Sequence, residues 1–306
     1  MEFTDYRTSR LTRIIPELPP SSEKIKILID TDAGNEIDDL YAITLALVSP
    51  DRFDIQGFIA THYASKAGPE SIERSYELVC RLLEIAEKKY PVKKSAYPMQ
   101  FYGTPSEGEA VDFIIEKANE CDEENPLWVL CLGAATNLAS AILKDPSIAD
   151  KVRYVFHSRC SELWPERTAQ FNILGDILAV RTILGSNVPL VWFDTGTDLC
   201  MSFKDSKKRI APLGKLGDYL HNFRLIHDYF MLSDKGFFDL ADVAWMIDES
   251  LCESEIVKAP SMTQFMYFDH VKSNGNMLRV YGNKKDETWD LFIKRLSEFY
   301  KKGEIK

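Results

Sequence analysis

Short apolar runs alternate with amphipathic stretches along most of the chain. The runs at 25–29, 55–60, 127–132, 152–156 and 188–193 are dominated by aliphatic residues and predict strands. Between them, residues 37–47, 71–88, 108–120, 137–143 and 177–184 place apolar side chains three and four apart, the spacing of a helix with one buried face. This alternation predicts βαβ units, and hence an α/β fold: an open, mostly parallel β-sheet flanked by helices, Rossmann-like in plan. From Lys204 to Leu232 the pattern turns helical and aromatic, and another helix starts near Asp239. The tail predicts strands at 264–268 and 278–281, then a helix over 287–301. Residues 1–24 read as a polar lead-in and 25–306 as one domain, without repeats or low-complexity tracts.

Composition narrows the function classes. Hydrophobic residues at 45% and charged residues at 27% fit a soluble globular protein. Thirty-seven Lys and Arg against 47 Asp and Glu leave a net charge of -10, which disfavours nucleic acid as a partner. The basic stretches at 204–209 and 284–285 are short and read as solvated faces. Six cysteines (Cys80, Cys121, Cys131, Cys160, Cys200 and Cys252) lack CxxC spacing and read as reduced residues of the core. The N-terminus has no signal-peptide-like apolar run and no segment has the length of a membrane span, so the expectation is a cytoplasmic protein without a membrane partner.

The chemistry concentrates in DTDAGNEIDD, residues 30–39, where four aspartates and a glutamate fall between a strand and a helix. Crowded carboxylates repel one another and resist desolvation, so a compensating cation is the strongest explanation of their density. In an open parallel sheet, ligands gather at the carboxyl ends of the strands, where this cluster lies. Asp30 and Asp32 at the strand end, with Asp38 and Asp39 at the helix start, form an oxygen-only set that suits calcium or magnesium. Simple helix capping by Asp38 or Asp39 accounts for only part of it.

This segment resembles the DxDxGxDD signature of the calcium-dependent, inosine-uridine preferring nucleoside hydrolases. Three later segments are similar to that family's elements in order and spacing: LGAATNLASAI at 132–142, TAQFNILGD at 168–176 and FFDLADVA at 237–244. The resemblance spans roughly residues 25–300 and implies a nucleoside hydrolase fold and hydrolysis of the N-glycosidic bond of ribonucleosides to base and ribose. It implies a calcium ion on Asp32, Asp39, Thr136 (through its backbone carbonyl) and Asp239, with Asp32 activating a water at the ion. Asp38 and Asn172 correspond to sugar-holding residues and Asp30 to a partner behind the metal ligands. A homodimer or homotetramer is also implied.

The departures from the family pattern are specific. Asn35, Glu36 and Ile37 stand where one residue is usual, lengthening the loop by two and bringing Asn35 and Glu36 toward substrate. Gln170 replaces a sugar-contacting glutamate, removing a charge while keeping hydrogen-bonding capacity. Phe238 replaces a histidine that assists departure of the base, and phenylalanine has no proton to give. His62, in the loop after the second strand, is the expected substitute, with Trp164, His227, Tyr229 and Phe230 as an aromatic wall for the base. Two rivals remain on these residues: a non-catalytic nucleoside- or ribose-binding homologue, and a haloacid dehalogenase-like phosphatase. Gly34 weakens the second, because that class expects Thr or Val at this position.

Overall fold

The structure, a computed structural model, describes residues 13–196 and 198–303. The main sheet contains β1 (Ile25–Thr31), β2 (Phe53–Ala60), β3 (Val92–Lys94), β4 (Leu127–Cys131), β5 (Val152–His157), β6 (Leu190–Phe193), β7 (Cys252–Lys258) and β10 (Asn276–Asn283). β8 (Ser261–Met262) and β9 (Phe268–Asp269) form a small antiparallel pair. The helices are α1 (Asp38–Leu47), α2 (Ala64–Ala67), α3 (Glu70–Ile85), α4 (Glu109–Asn119), α5 (Thr136–Lys144), α6 (Phe171–Gly175) and α7 (Ile177–Gly185). They continue with α8 (Phe203–Arg209), α9 (Gly214–Phe223), α10 (Asp228–Met231), α11 (Leu240–Ile247) and α12 (Lys285–Gly303).

Strand order is β3-β2-β1-β4-β5-β6-β10-β7, parallel throughout except for β7 against β10. The chain runs outward through β2 and β3, then returns to place β4 on the other side of β1. The crevice at this reversal lies outside the carboxyl ends of β1 and β4. Alternation within the apolar runs divides the core: Ile27, Ile29 and Leu130 face the layer of α1, α11 and α12, while Leu28 and Val129 face that of α4, α5 and α7. Such burial stabilises by about 1.5–3 kcal/mol per large aliphatic side chain. All ten residues of α1 are buried, and Tyr41 packs on Phe237, Trp289 and Phe292 with ring centroids 4.6, 5.9 and 5.4 Å away. The helix that begins the acidic cluster is thereby wedged against the one preceded by Asp239.

The five expected strands and the helices between them are present, with ends displaced by at most a few residues. Two strands of the main sheet escaped the pattern, as did the two-residue β8 outside it. β3 has three residues, and β7, CESEIVK, is a largely exposed edge strand with a charge at nearly every second position. The strand expected at 264–268 is mostly a turn closed by Met266 N donating to Thr263 O, with Phe268 alone in β9. The described part of the lead-in is pinned down. Arg13 donates to the carbonyls of Ile183, Leu184 and Ser186, and Arg52 to those of Pro19, Pro20 and Glu23. All six cysteines are free thiols, and among the described residues no helix is long and apolar enough to cross a membrane.

Candidate active site

A cavity of about 340 Å³ opens at the carboxyl ends of β1, β4 and β5. Asp32, Asn35, Glu36, Asp38 and Asp39 enter it from the loop after β1 and the first turn of α1. Two carboxylates in that turn suit the positive end of the helix, which has no side-chain cap of its own. Leu132 reaches the cavity from the end of β4, His157 and Arg159 from β5 and just beyond it, and Phe238 and Asp239 from the start of α11. Lys66, Gln170, Phe171 and Asn172 complete the wall.

Ligand oxygens of Asp38, Asp39 and Asp239 lie within 4.8 Å of one another, and all three residues are buried. Burial and then the charges of Asp39, Asp38 and Glu36 push the Asp32 carboxyl well above its ordinary range. Burial and then Asp38 lift Asp39 to about 8, although Thr31 donates a short hydrogen bond to it. Asp239 is raised in the same way by burial and by Asp39 and Asp38. A group of acids that resists ionisation this strongly, built from carboxylates with His157 beside Asp239, fits a hard divalent cation. Asp30 lies behind: its carboxylate accepts from Thr61 Oγ1 and from Asn137 Nδ2 at 3.0 Å, and burial raises it to about 7. Gly133 is what lets β4 approach this closely, because a Cβ there would stand 2.9 Å from Thr61 Cγ2 and 3.1 Å from Asp32 Cβ.

The upper wall has a different character. Lys235, buried, donates to Asp38 Oδ1 at 3.4 Å and forms an ion pair with Glu36, Nζ to Oε2 at 2.8 Å. Burial pulls its ammonium down, but the charges of Asp38 and Glu36 outweigh this and leave it raised. Arg159 places its guanidinium carbon 4.2 Å from the centroid of Phe238, and Lys66 donates to Asn35 Oδ1 at 2.9 Å. A side chain at Gly236 would collide with the Phe238 ring, so glycine there permits the ring's position.

Among the expected residues, the cavity gathers Asp32, Asn35, Glu36, Asp38, Asp39, Gln170, Asn172 and Asp239. Gln170 spends its Oε1 on the N–H groups of Asn172 and Ile173, capping α6, while Asn172 Nδ2 donates to Leu132 O at 2.6 Å and His157 O at 3.3 Å.

Six expectations fail on position, Phe230 among them: it is buried outside the cavity lining, its ring against Phe223. Thr136 does not line the cavity; it opens α5 and its hydroxyl donates to Asp176 Oδ2 at 2.7 Å, so Leu132, four residues earlier, is what this segment presents to the cavity. His62 is buried away from the cavity, its Nε2 2.7 Å from Thr136 Oγ1, and burial lowers it to about 4. Trp164 packs on Phe268, His270 and Arg279. His227 caps α10 by accepting from Tyr229 N, and Tyr229 lies outside the cavity lining, its ring 5.5 Å from Lys235 Nζ.

Sequence reasoning missed Leu132, His157, Arg159, Lys66 and Lys235. His157 and Arg159 directly follow a recognised strand, so the rule that ligands collect at strand carboxyl ends pointed to them. His157 Nδ1 lies 2.8 Å from Asp242 Oδ2 and 3.6 Å from Asp239 Oδ1, steadying the metal-side carboxylate.

An open α/β sheet with a buried carboxylate cluster able to hold a cation at its topological reversal, beside a cavity sized for a small molecule, is the arrangement of an enzyme that works on a polar small substrate. The chain belongs to the inosine-uridine preferring nucleoside hydrolase family, whose model matches residues 27–301. It is 27% identical over 227 residues to probable uridine nucleosidase 2 of Arabidopsis thaliana, covering 65% of this chain and 68% of that protein. It is 27% identical over 194 residues to pyrimidine-specific ribonucleoside hydrolase RihA of Escherichia coli O81, covering 55% and 59%. Among solved structures, the plant nucleoside hydrolase PpNRh1 superposes with TM-score 0.70 at 19% identity over 89% of this chain and 99% of that one. A purine-preferring ribonucleoside hydrolase from Gardnerella vaginalis gives 0.70 at 18% identity, covering 90% and 98%. At these identities the superpositions speak to the fold.

Proposed function

We propose that the protein hydrolyses the N-glycosidic bond of ribonucleosides, with the sugar bound over the carboxylate floor and the base against Phe238. The observation that carries this reading is the convergence of Asp38, Asp39 and Asp239 within 4.8 Å beside Asp32 at the bottom of one cavity. Asp32, Asp39 and Asp239, with the Leu132 carbonyl, would hold a divalent cation, calcium by the family resemblance. When bound, the cation supplies positive charge that keeps the carboxylates ionised and orients sugar hydroxyls and water. Asp32 accepts the proton of the attacking water, which adds to the anomeric carbon as the bond to the base breaks. Asp38 and Asn172 hold ribose hydroxyls, and the carboxylates stabilise positive charge developing on the sugar ring. His62, Trp164 and His227 have no part in these steps.

The six free thiols support a reducing, cytoplasmic location, and a homodimer or homotetramer is expected from the family. The test is release of reducing sugar from uridine, inosine and cytidine, with and without a chelator. Turnover that stops on chelation and returns with calcium supports the reading. Tight nucleoside binding without ribose release would show a binding protein instead, and phosphate release from sugar phosphates a phosphatase.

A further inference from the structure

Helix α11 carries a charge that the chemistry above does not use. All eight of its residues are buried, and Asp242 is the one ionisable side chain among them. It follows Asp239 by three positions, the spacing that puts two side chains on one face of a helix. That face meets the end of β5, where His157 closes the strand. His157 Nδ1 lies 2.8 Å from Asp242 Oδ2 and 3.6 Å from Asp239 Oδ1, and ligand atoms of all three residues lie within 4.8 Å of one another. A hydrogen bond between His157 and Asp242 accounts for only half of this arrangement. The other oxygen, Asp242 Oδ1, is buried with no hydrogen-bond partner. A carboxylate oxygen taken out of water and left unpaired is costly, and a positive group is what would compensate it.

We propose that His157, Asp239 and Asp242 form a second cation site, which takes a divalent transition metal of the zinc type and shares Asp239 with the carboxylate floor. The donor set selects the metal. Imidazole nitrogen together with carboxylate oxygen suits zinc, whereas calcium takes oxygen alone. Ligand atoms about 2.0–2.1 Å from a tetrahedral ion stand about 3.3 Å apart. The separations of 2.8 and 3.6 Å fall on either side of that value. Binding displaces to solvent the proton that Nδ1 now shares with Asp242 Oδ2, which frees the nitrogen to ligate. A carboxylate that meets the ion through both oxygens also gives Oδ1 its missing partner. Asp239 belongs equally to the group it makes with Asp38 and Asp39, and paired metal ions stand about 3.5–4 Å apart in known two-metal sites. The site does not depend on which substrate the cavity takes.

The test is equilibrium dialysis of the chelator-treated full chain against zinc with calcium in excess, followed by elemental analysis of wild type, Asp242→Asn and His157→Gln. Wild type is expected to hold one zinc beside its calcium. Both variants should keep calcium and lose more than about 100-fold in zinc affinity, beyond the scale of losing an outer partner of a metal site. X-ray absorption at the zinc edge of the wild type does not depend on how the variants fold, and there an imidazole nitrogen is expected among the ligands. Zinc held by oxygen alone, zinc displaced by calcium, or variants that bind zinc as wild type does would put the ion elsewhere and overturn the site. Wild type that takes up no zinc overturns it as well. Zinc with an imidazole ligand in a protein that binds no calcium supports the second site and removes calcium from the floor, so the two readings fail separately.

Discussion

The floor of the cavity and its upper wall are built on opposite principles. Asp32, Asp38, Asp39 and Asp239 are buried, of one sign, and anchored by a strand end and two helix starts that the core clamps together. Arg159, Phe238, Lys235, Lys66, Asn35 and Glu36 mix cations, an aromatic ring and paired charges, and come from connecting segments and helix ends. A floor of this kind is strained without a counter-ion and suits one chemistry, the binding of a cation and a polyhydroxylated sugar. The wall balances its own charges and can change residue by residue without disturbing the floor. On the proposed reading, bond cleavage belongs to the floor, and the wall meets the base.

Asp32→Asn attacks the floor and should have the largest effect. Loss of the proton acceptor is expected to lower kcat about a thousandfold or more, while circular dichroism remains that of wild type because the amide is nearly isosteric. Activity within tenfold of wild type would remove Asp32 as the base. Lys235→Met tests the wall next. It strips the buried counter-charge from Glu36 and Asp38, and removing one partner of a buried pair is expected to destabilise by about 3–5 kcal/mol, read from denaturant unfolding. Lys235→Met combined with Glu36→Gln should recover part of that loss. No recovery would show that Lys235 acts through packing on Phe237 and Phe238, 5.6 and 4.8 Å from their ring centroids.

The same division explains what could be read from the chain. Asp30, Asp32, Asp38 and Asp39 lie within ten residues, and their local density needs no tertiary information to be noticed. Asp239 was reached only through the resemblance of its segment to a family element. The wall has no local signal. Lys235 and Arg159 are ordinary surface-type residues in sequence, and they become site residues because the segments before α11 and after β5 bring them to Phe238. Thr136 was misplaced for a related reason: the motif identified the segment, but the strand end, not the helix start, faces the cavity. Among strands, β7 was missed because its alternate charges mark an exposed edge and not a core element.

Removal of metal separates floor from wall through pH. Without a cation, folded Asp39 keeps its proton up to about 8 against an ordinary value of 3.8, and Asp30 up to about 7. Between those limits the folded state binds more protons than the unfolded chain. The stabilisation is therefore present in full below about 4 and is lost as pH rises through about 8. The chelated protein should melt at a higher temperature at pH 6 than at pH 8.5. Calcium at a hundredfold excess over its dissociation constant should add about 2.7 kcal/mol and flatten that dependence, because it binds the ionised form. A melting temperature for the chelated protein that rises with pH would contradict the raised carboxyls.

The smallest effect is expected where sequence reasoning had placed a catalytic group. His62 accepts from Ala64 N through Nδ1, so the proton sits on Nε2 and is donated to Thr136 Oγ1, which in turn donates to Asp176. That chain ties the loop after β2 to α5 and to the start of α7, and burial holds the imidazole neutral, with its pKa lowered to about 4. His62→Gln can replace the donor to Thr136, so it should lower stability by about 1 kcal/mol and leave kcat on uridine and its pH profile unchanged. A lost acidic limb in that profile would return His62 to the chemistry and demand a conformation in which the loop after β2 turns into the cavity. An unchanged profile removes His62 from the chemistry and leaves it as a tie between the loop after β2 and α5.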